Sequence, residues 1–190
     1  METKKFGDKL ITVRKPLEKD MLSAEKFMVY VNALINEDAK ILVRVKKTLK
    51  EEKEWLEDRI KAVKDKQVVS LIAECDGVVA GQCSIKLQKE RQDHIGEFGI
   101  AIGKDFRRIG LGTYLIKEVI ELAKKEFKPA LKIIKLFVFA NNEPAIKLYE
   151  KIGFRQVAVL PDHIQFQGEL IDEVCMLLYL FSNEARAKQR

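Results

Sequence analysis

The stretch from Gly110 to Phe127 constrains the fold most. Its apolar residues Leu111, Leu115, Ile116, Val119, Ile120, Leu122 and Ala123 recur at helical spacing, so one face of the helix must be buried against another layer. Apolar strand candidates stand on both sides, His94 to Ile102 before it and Lys132 to Phe139 after it. Strand, amphipathic helix and strand in that order make a β-α-β unit with one parallel crossover.

The remaining strand signals are antiparallel. Val68 to Cys75 and Val78 to Leu87 are β-rich runs joined by Asp76-Gly77, a two-residue loop suited to a type I′ hairpin turn. Phe154 to Leu160 and Leu170 to Phe181 form a final strand pair, and Leu10 to Val13 is a short strand closed by Arg14-Lys15-Pro16. Gly96 and Gly99 interrupt the run from His94 to Ile102, which weakens regular pairing and invites a bulge or a close backbone approach. The fold class expected is mixed α/β (α+β), a central, mostly antiparallel twisted sheet flanked by helices.

Three further helical segments fill the pattern. Met21, Leu22, Phe27, Met28, Val31, Leu34 and Ile35 lie near helical spacing between Asp20 and Asn36. After the apolar run Ile41 to Val45, Thr48 stands three residues before Glu51, the spacing of a capping box. A helix is expected from there to Lys64, with Trp55, Leu56, Ile60 and Val63 as its buried face. Ala145 to Ile152 reads as a short helix that stops at Gly153, and the polar tail from Ser182 is expected to fray.

The chain has 190 residues, enough for one domain with a proper core, so 1–190 is expected to be a single domain with an ordered core from 10 to 181. Cys75, Cys83 and Cys175 sit in apolar or alternating runs without metal-ligand or redox spacing, and read as buried core thiols. With His94 and His163 the only histidines and no clustered carboxylates, no metal is expected. The formal charge of +6 fits either a basic patch for an anionic ligand or lysines spread over the surface, and the second is the simpler reading. No apolar run is long enough to cross a bilayer and Met1 to Lys9 is polar, so a cytoplasmic location is expected.

Chemistry enters at Arg107-Arg108-Ile109-Gly110-Leu111-Gly112-Thr113, placed where a strand gives way to the amphipathic helix. Glycines there let backbone amides approach a ligand, and the helix start aims its free N–H groups at the same place. Such a turn binds phosphate. A P-loop requires a lysine followed by Ser or Thr after its last glycine, and a dinucleotide turn requires its third glycine further along; neither is present.

The segment resembles the phosphate-binding loop of the GNAT superfamily of acyl-CoA-dependent N-acyltransferases, with Arg107, Gly110 and Gly112 at its three defining positions. A second, more specific stretch from Val138 to Phe154 is similar to the superfamily's run of Asn, Ala, Tyr and a closing Gly-Phe, matched by Asn142, Ala145, Tyr149, Gly153 and Phe154. The resemblance spans Val68 to Leu180, and the N-terminal helices fit the superfamily's variable substrate-side region. It implies acetyl-CoA as acyl donor, a sheet splayed at a β-bulge, and the pyrophosphate over Arg108, Ile109, Gly110, Leu111, Gly112 and Thr113. Arg107 would add charge or brace the loop.

The pantetheine arm would run beside Ile100, Ala101 and Ile102, with Gly99 permitting the opening and the N–H near Ile100 facing the oxyanion. Asn142 would hydrogen-bond the arm, and Tyr149 would act as general acid toward the sulfur. Glu97 is the first candidate for the base, with His94, Glu74 and Asp162 behind it. Direct transfer needs no enzyme nucleophile, in keeping with the absence of a cysteine in an activating setting. The acceptor would be a small amine, an amino acid or a peptide or protein N-terminus. A sensor that binds acyl-CoA without transfer is the alternative. Nucleic-acid binding is the weaker one, since Lys124, Lys125, Lys128, Lys132 and Lys135 lie among core residues without base-stacking aromatics. A homodimer through the C-terminal strands is possible in principle.

Overall fold

The computed structural model describes residues 1–127 and 130–181; the tail from Ser182 lies outside them. In chain order the elements are β1 (Glu2–Phe6), β2 (Lys9–Arg14), α1 (Ala24–Asn36), α2 (Leu49–Lys64), β3 (Val68–Cys75), β4 (Val78–Leu87) and β5 (Ile95–Ile102). They continue with α3 (Leu111–Glu126), β6 (Ile133–Phe139), α4 (Glu143–Ile152), β7 (Arg155–Phe166) and β8 (Glu169–Tyr179). The fold is the expected mixed α/β class: an eight-stranded, mostly antiparallel sheet in the order β1-β2-β3-β4-β5-β6-β8-β7, with helices on its faces. The chain groups into two compact units, Met1–Ile85 with Gly99–Glu126, and Lys86–Phe98 with the described residues from Phe127 on.

In the first unit, β1 and β2 make a hairpin that turns at Gly7 (φ +62°) and Asp8. By its polarity this N-terminus is expected outside the ordered core, yet it forms a paired edge strand. Glu2, Thr3, Lys4 and Lys5 are exposed and only Phe6 is buried, the composition of an edge strand defended by charge. The β3–β4 turn is as expected: Asp76 (φ +48°) and Gly77 (φ +81°) are both left-handed, as a type I′ turn requires.

The helical region from Asp20 differs from the expectation. Glu18–Ser23 is a 3-10 turn and α1 begins only at Ala24. Leu22 is therefore 92% exposed, while Ala24, Phe27, Tyr30 and Leu34 form the buried stripe. The turn is fixed by Asp20, which is 1% exposed and accepts from Arg14 Nη2 at 2.6 Å and Nη1 at 2.8 Å. Ile41–Val45 forms no regular element; Leu42, Val43 and Val45 are exposed, and Ile41 alone of the run packs with Trp55 on the cluster of Phe27, Tyr30, Leu56 and Ile72. In α2 the capping box is present, Thr48 N–H donating to Glu51 Oε2 at 2.8 Å and Glu51 N–H to Thr48 Oγ1 at 3.3 Å. Its buried face is Glu52, Leu56 and Ile60, with Trp55 and Val63 only half-buried.

In the second unit, β6 pairs with β8 from Ile133↔Tyr179 to Phe139↔Glu173, and β5 runs parallel to β6 only from Ile95↔Ile133 to Glu97↔Lys135. Directly opposed residues share a face of the sheet. Glu97, Lys135, Phe137, Phe139, Glu173 and Cys175 therefore stand on one face, and Ile134, Leu136, Val138, Val174 and Met176 on the other. Cys175 is consequently half-buried rather than the core thiol expected; Cys75 and Cys83 are buried. β7 passes through Pro161 instead of ending at Leu160, because its register with β8 shifts between Leu160 and Ile164 and frees the proline from the ladder. α4 stops at Gly153, which is left-handed at φ +111° and returns its N–H to Tyr149 and Glu150.

Candidate active site

The first unit carries the glycine turn. Arg108 (φ +62°) and Gly110 (φ +89°) are both left-handed, and such alternation curls successive N–H groups toward one concave side. The first backbone bond of α3 runs from Tyr114 N–H to the Gly110 carbonyl at 3.1 Å, so the amides of Leu111, Gly112 and Thr113 precede the ladder as free first-turn donors. A Cβ built on Gly110 meets nothing within 4 Å; the turn opens to solvent. Leu111 is fully buried and anchors the helix start, while Ile109 packs toward Gly7. Free first-turn amides beside an open Gly110, with Leu111 buried beneath them, are a donor set that could seat a pyrophosphate.

Arg107 does not extend toward the open side of the turn. Its Nε donates to the Ile102 carbonyl at 2.9 Å, and its two terminal nitrogens hold the Glu37 carboxylate at the end of α1, Nη1 lying 3.3 Å from Oε2. Of the two roles expected for it, the geometry is that of a brace. Ala101 is likewise fixed, its carbonyl accepting from the Tyr30 hydroxyl at 2.8 Å. Gly81 on β4 lies against the same segment: a Cβ there would stand 2.7 Å from Ile102 Cδ1 and 3.0 Å from the Ala101 oxygen. Glu37, Tyr30 and Gly81 were missed in the sequence because their partners are remote in the chain.

The second unit holds Asn142, Tyr149 and Glu97. Asn142 is the N-cap of α4, yet its side chain makes no capping bond, which leaves the amide available to a ligand. One helical turn beyond Ala145, Tyr149 is 8% exposed and packs edge-on against Phe98 at 6.0 Å and against Phe154 at 5.8 Å. Burial pushes its phenol up to about 12. Among the described residues its hydroxyl has no hydrogen-bond partner, and since no buried side-chain oxygen is left unpaired, that oxygen is reached by solvent. Glu97 sits on the opposite face of β5 from Phe98 and its tyrosine. Its Oε2 lies 3.2 Å from Lys135 Nζ and accepts from Gln88 Nε2 at 3.4 Å.

Gly99 is open, with nothing within 4 Å of a built Cβ, and the β5–β6 pairing has ended by then. Of the lesser base candidates, Glu74 is committed to Arg14 at 2.6 Å and to Lys26; burial alone would raise its carboxyl, but these bonds hold it below the usual range. The His94 carbonyl accepts from Lys132 and Ile133. The Asp162 N–H donates to Asp172 Oδ1 at 3.1 Å.

Among the described residues no group of three or more His, Cys, Asp or Glu side chains could hold a metal ion, and no helix is long and apolar enough to cross a membrane.

The chain matches the model of the acetyltransferase (GNAT) family over residues 33–154. It is 32% identical over 110 residues to the L-amino acid N-acetyltransferase AaaT of Escherichia coli (strain K12), covering 57% of this chain and 67% of that one. Over 121 residues it is 29% identical to the N-alpha-acetyltransferase of Sulfurisphaera tokodaii, covering 58% and 70%. Its fold is similar to that of yncA from Salmonella typhimurium, solved with its cofactor acetyl-CoA, at a TM-score of 0.76 and 20% identity over 91% of this chain and 95% of that one.

Proposed function

The chain belongs to the acetyltransferase (GNAT) family of acyl-CoA-dependent enzymes, and we propose that it transfers the acetyl group of acetyl-CoA directly onto a primary amine. The free amides of Arg108 to Thr113 would hold the pyrophosphate, with Arg107 bracing the turn and the β5 segment Ile100 to Ile102 beside the pantetheine arm; Asn142 is a separate candidate for hydrogen-bonding that arm. Bound so, acetyl-CoA supplies an activated acyl carbon; the chain's own residues position the amine, carry protons and face the oxyanion, the last through the N–H near Ile100.

What supports this reading is the Tyr149 side chain, its ring packed against Phe98 and Phe154 and its hydroxyl unpaired among the described residues yet not sealed from solvent. A phenol held near pKa 12 keeps its proton at neutral pH, as a general acid for a departing thiolate must. The C–N bond forms as the C–S bond breaks, and the sulfur takes the phenolic proton. Glu97, on the other face of β5, draws a cationic amine and takes a proton from it directly or through water. An acyl-CoA sensor would have no need of a protonated, unpaired phenol at this position. Names of the relatives favour an amino acid or a peptide N-terminus as acceptor over other small amines. Residues 1–190 act in this reading as one N-acetyltransferase domain.

Thiol release from acetyl-CoA, measured with free L-amino acids and with peptides bearing a free Ala or Met N-terminus, tests it. Tyr149→Phe is expected to lower kcat by about 100-fold while acetyl-CoA affinity stays within about twofold. Unchanged kcat in the variant would remove Tyr149 from the chemistry, and no turnover by the wild type on any acceptor would favour the sensor.

A further inference from the structure

In the first unit a buried carboxylate stands where packing alone would place an apolar side chain. The inner stripe of α2 is Glu52, Leu56 and Ile60, spaced one turn apart, and Glu52 is 6% exposed. Among the described residues it makes no hydrogen bond and no ion pair. Lys47, the one cation that acts on it across space, is drawn to Glu51 instead, its Nζ lying 3.8 Å from Oε1. Burial pushes the Glu52 carboxyl up against the smaller pull of Lys47. Because no fully buried side-chain oxygen is left unpaired among the described residues, solvent reaches this carboxylate. It therefore lines an opening in an otherwise apolar wall: Leu56, next on the stripe, joins Tyr30 and Leu34 in one core cluster, on which Ile41 and Ala101 pack.

The Glu52 end of α2 is the end that meets the donor segment. Asn32, near the close of α1, brackets Lys47 just ahead of α2: its Nδ2 donates to the Lys47 carbonyl at 2.9 Å, and the Lys47 N–H donates to its Oδ1 at 2.7 Å. At the far end of α2, Lys64 pairs with Glu18, which precedes α1. The two helices thus run antiparallel, with Glu52 where α1 finishes. There Arg107 holds both Glu37 and the Ile102 carbonyl, and the Tyr30 hydroxyl donates to the Ala101 carbonyl. All of these contacts lie within the first unit.

A buried charge without a partner is unfavourable until a ligand completes it, and such departures from the local pattern gather at functional sites. The partner that Glu52 lacks is a cation. In the reaction above the acceptor's reacting nitrogen gives its proton to Glu97, and a second carboxylate clasping that nitrogen would hold it as ammonium and oppose its attack. The cation left for Glu52 is a different one, which stays charged after acetyl transfer. We propose that Glu52 is an acceptor-recognition residue that anchors a second ammonium of the acceptor, while the acceptor's other nitrogen meets the thioester beside Ile100 to Ile102. This rests on N-acetyl transfer being the reaction. The acceptor class is then a diamine or an amino acid with a cationic side chain, its hydrocarbon lying along the apolar wall between the two nitrogens.

The test compares straight-chain diamines, from propane to hexane, with the alkylamines in which a methyl replaces the second ammonium, and L-lysine with L-norleucine. The ratio of kcat/KM within each pair is read for the wild type, Glu52→Gln and Glu52→Leu. The wild type is expected to favour the best diamine over its alkylamine by about tenfold or more, through KM, as for one well-placed charge pair. The preferred chain length then measures the span from Glu52 to the acyl carbon. In both variants the ratio is expected to fall to within about twofold of unity, with alkylamine turnover and acetyl-CoA affinity kept. A second readout needs no turnover: with CoA bound, the preferred diamine raises the melting temperature of the wild type and not that of Glu52→Gln. Without diamine both variants are expected to melt at or above the wild type, since nothing in the chain offsets burial of the charge. A lower melting temperature in both would assign Glu52 to the fold and overturn the anchor. A wild type without the preference, or variants that keep it, would overturn the anchor while leaving N-acetyl transfer standing. Absence of wild-type turnover on every probe, Ala- and Met-peptides included, would overturn both.

Discussion

Arg107 reaches back along the chain to give its Nε–H to the Ile102 carbonyl at 2.9 Å. That bond, with the grip on Glu37, ties the glycine turn to the β5 segment and to the end of α1 within one unit. Arg107→Ala leaves Glu37, 18% exposed at its side chain, without its cation and frees the turn. Acetyl-CoA affinity is expected to fall about tenfold, roughly 1.4 kcal/mol, by calorimetry. Arg107→Lys is expected to fall short of wild type too, since an ammonium cannot serve both partners with a planar fork.

Gly81 tests the same segment from the other side. A methyl at this position collides with Ile102 Cδ1, which can rotate, and with the Ala101 oxygen, which moves only if β5 moves. Gly81→Ala is expected to cost about 1–3 kcal/mol in stability and to weaken acetyl-CoA binding more than a distant variant of equal stability does. Thermal unfolding and titration of the same sample separate the two effects.

What was legible in the sequence follows how local each signal is. The Thr48–Glu51 cap and the Asp76-Gly77 turn are set by residues within a few positions of each other, and both stand in the structure. The glycine turn was legible for the same reason, and so was the stop of α4 at Gly153. β1 was not, because an edge strand of Glu and Lys carries no apolar alternation and forms only by pairing with β2. Leu22 and the run Ile41 to Val45 misled because apolar residues alone do not say whether a core lies nearby. The buried Asp20 that halts the first helical turn depends on Arg14. The contact of His163 Nδ1 with Glu173 Oε2 at 2.8 Å could not be foreseen, since it forms where four residue steps on β7 span two on β8.

Acid stability should report the buried network of Arg14, Asp20 and Glu74. Burial alone would raise the Asp20 carboxyl, but bonds from Arg14 and the Leu17 N–H hold it below its usual value, and Glu74 is lowered likewise by Arg14 and Lys26. A carboxylate whose folded pKa is depressed stabilises the fold above its unfolded value, near 4, and that contribution is lost as pH falls through the lower folded value. Melting temperature is therefore expected to drop steeply below about pH 4. Asp20→Asn should be less stable than wild type at pH 7 by about 3–5 kcal/mol, as for one partner of a buried ion pair, with the gap narrowing in acid. A gap of constant size from pH 7 to pH 3 would contradict this assignment.

Titration of acetyl-CoA into wild type and Gly110→Trp by calorimetry asks whether the left-handed turn at Gly110 holds the donor's pyrophosphate. Micromolar binding to the wild type is expected, and its loss in the variant, with the variant still folded by circular dichroism. Equal binding to both forms would contradict the placement of the donor at this turn, and no binding to either would contradict acyl-CoA dependence itself.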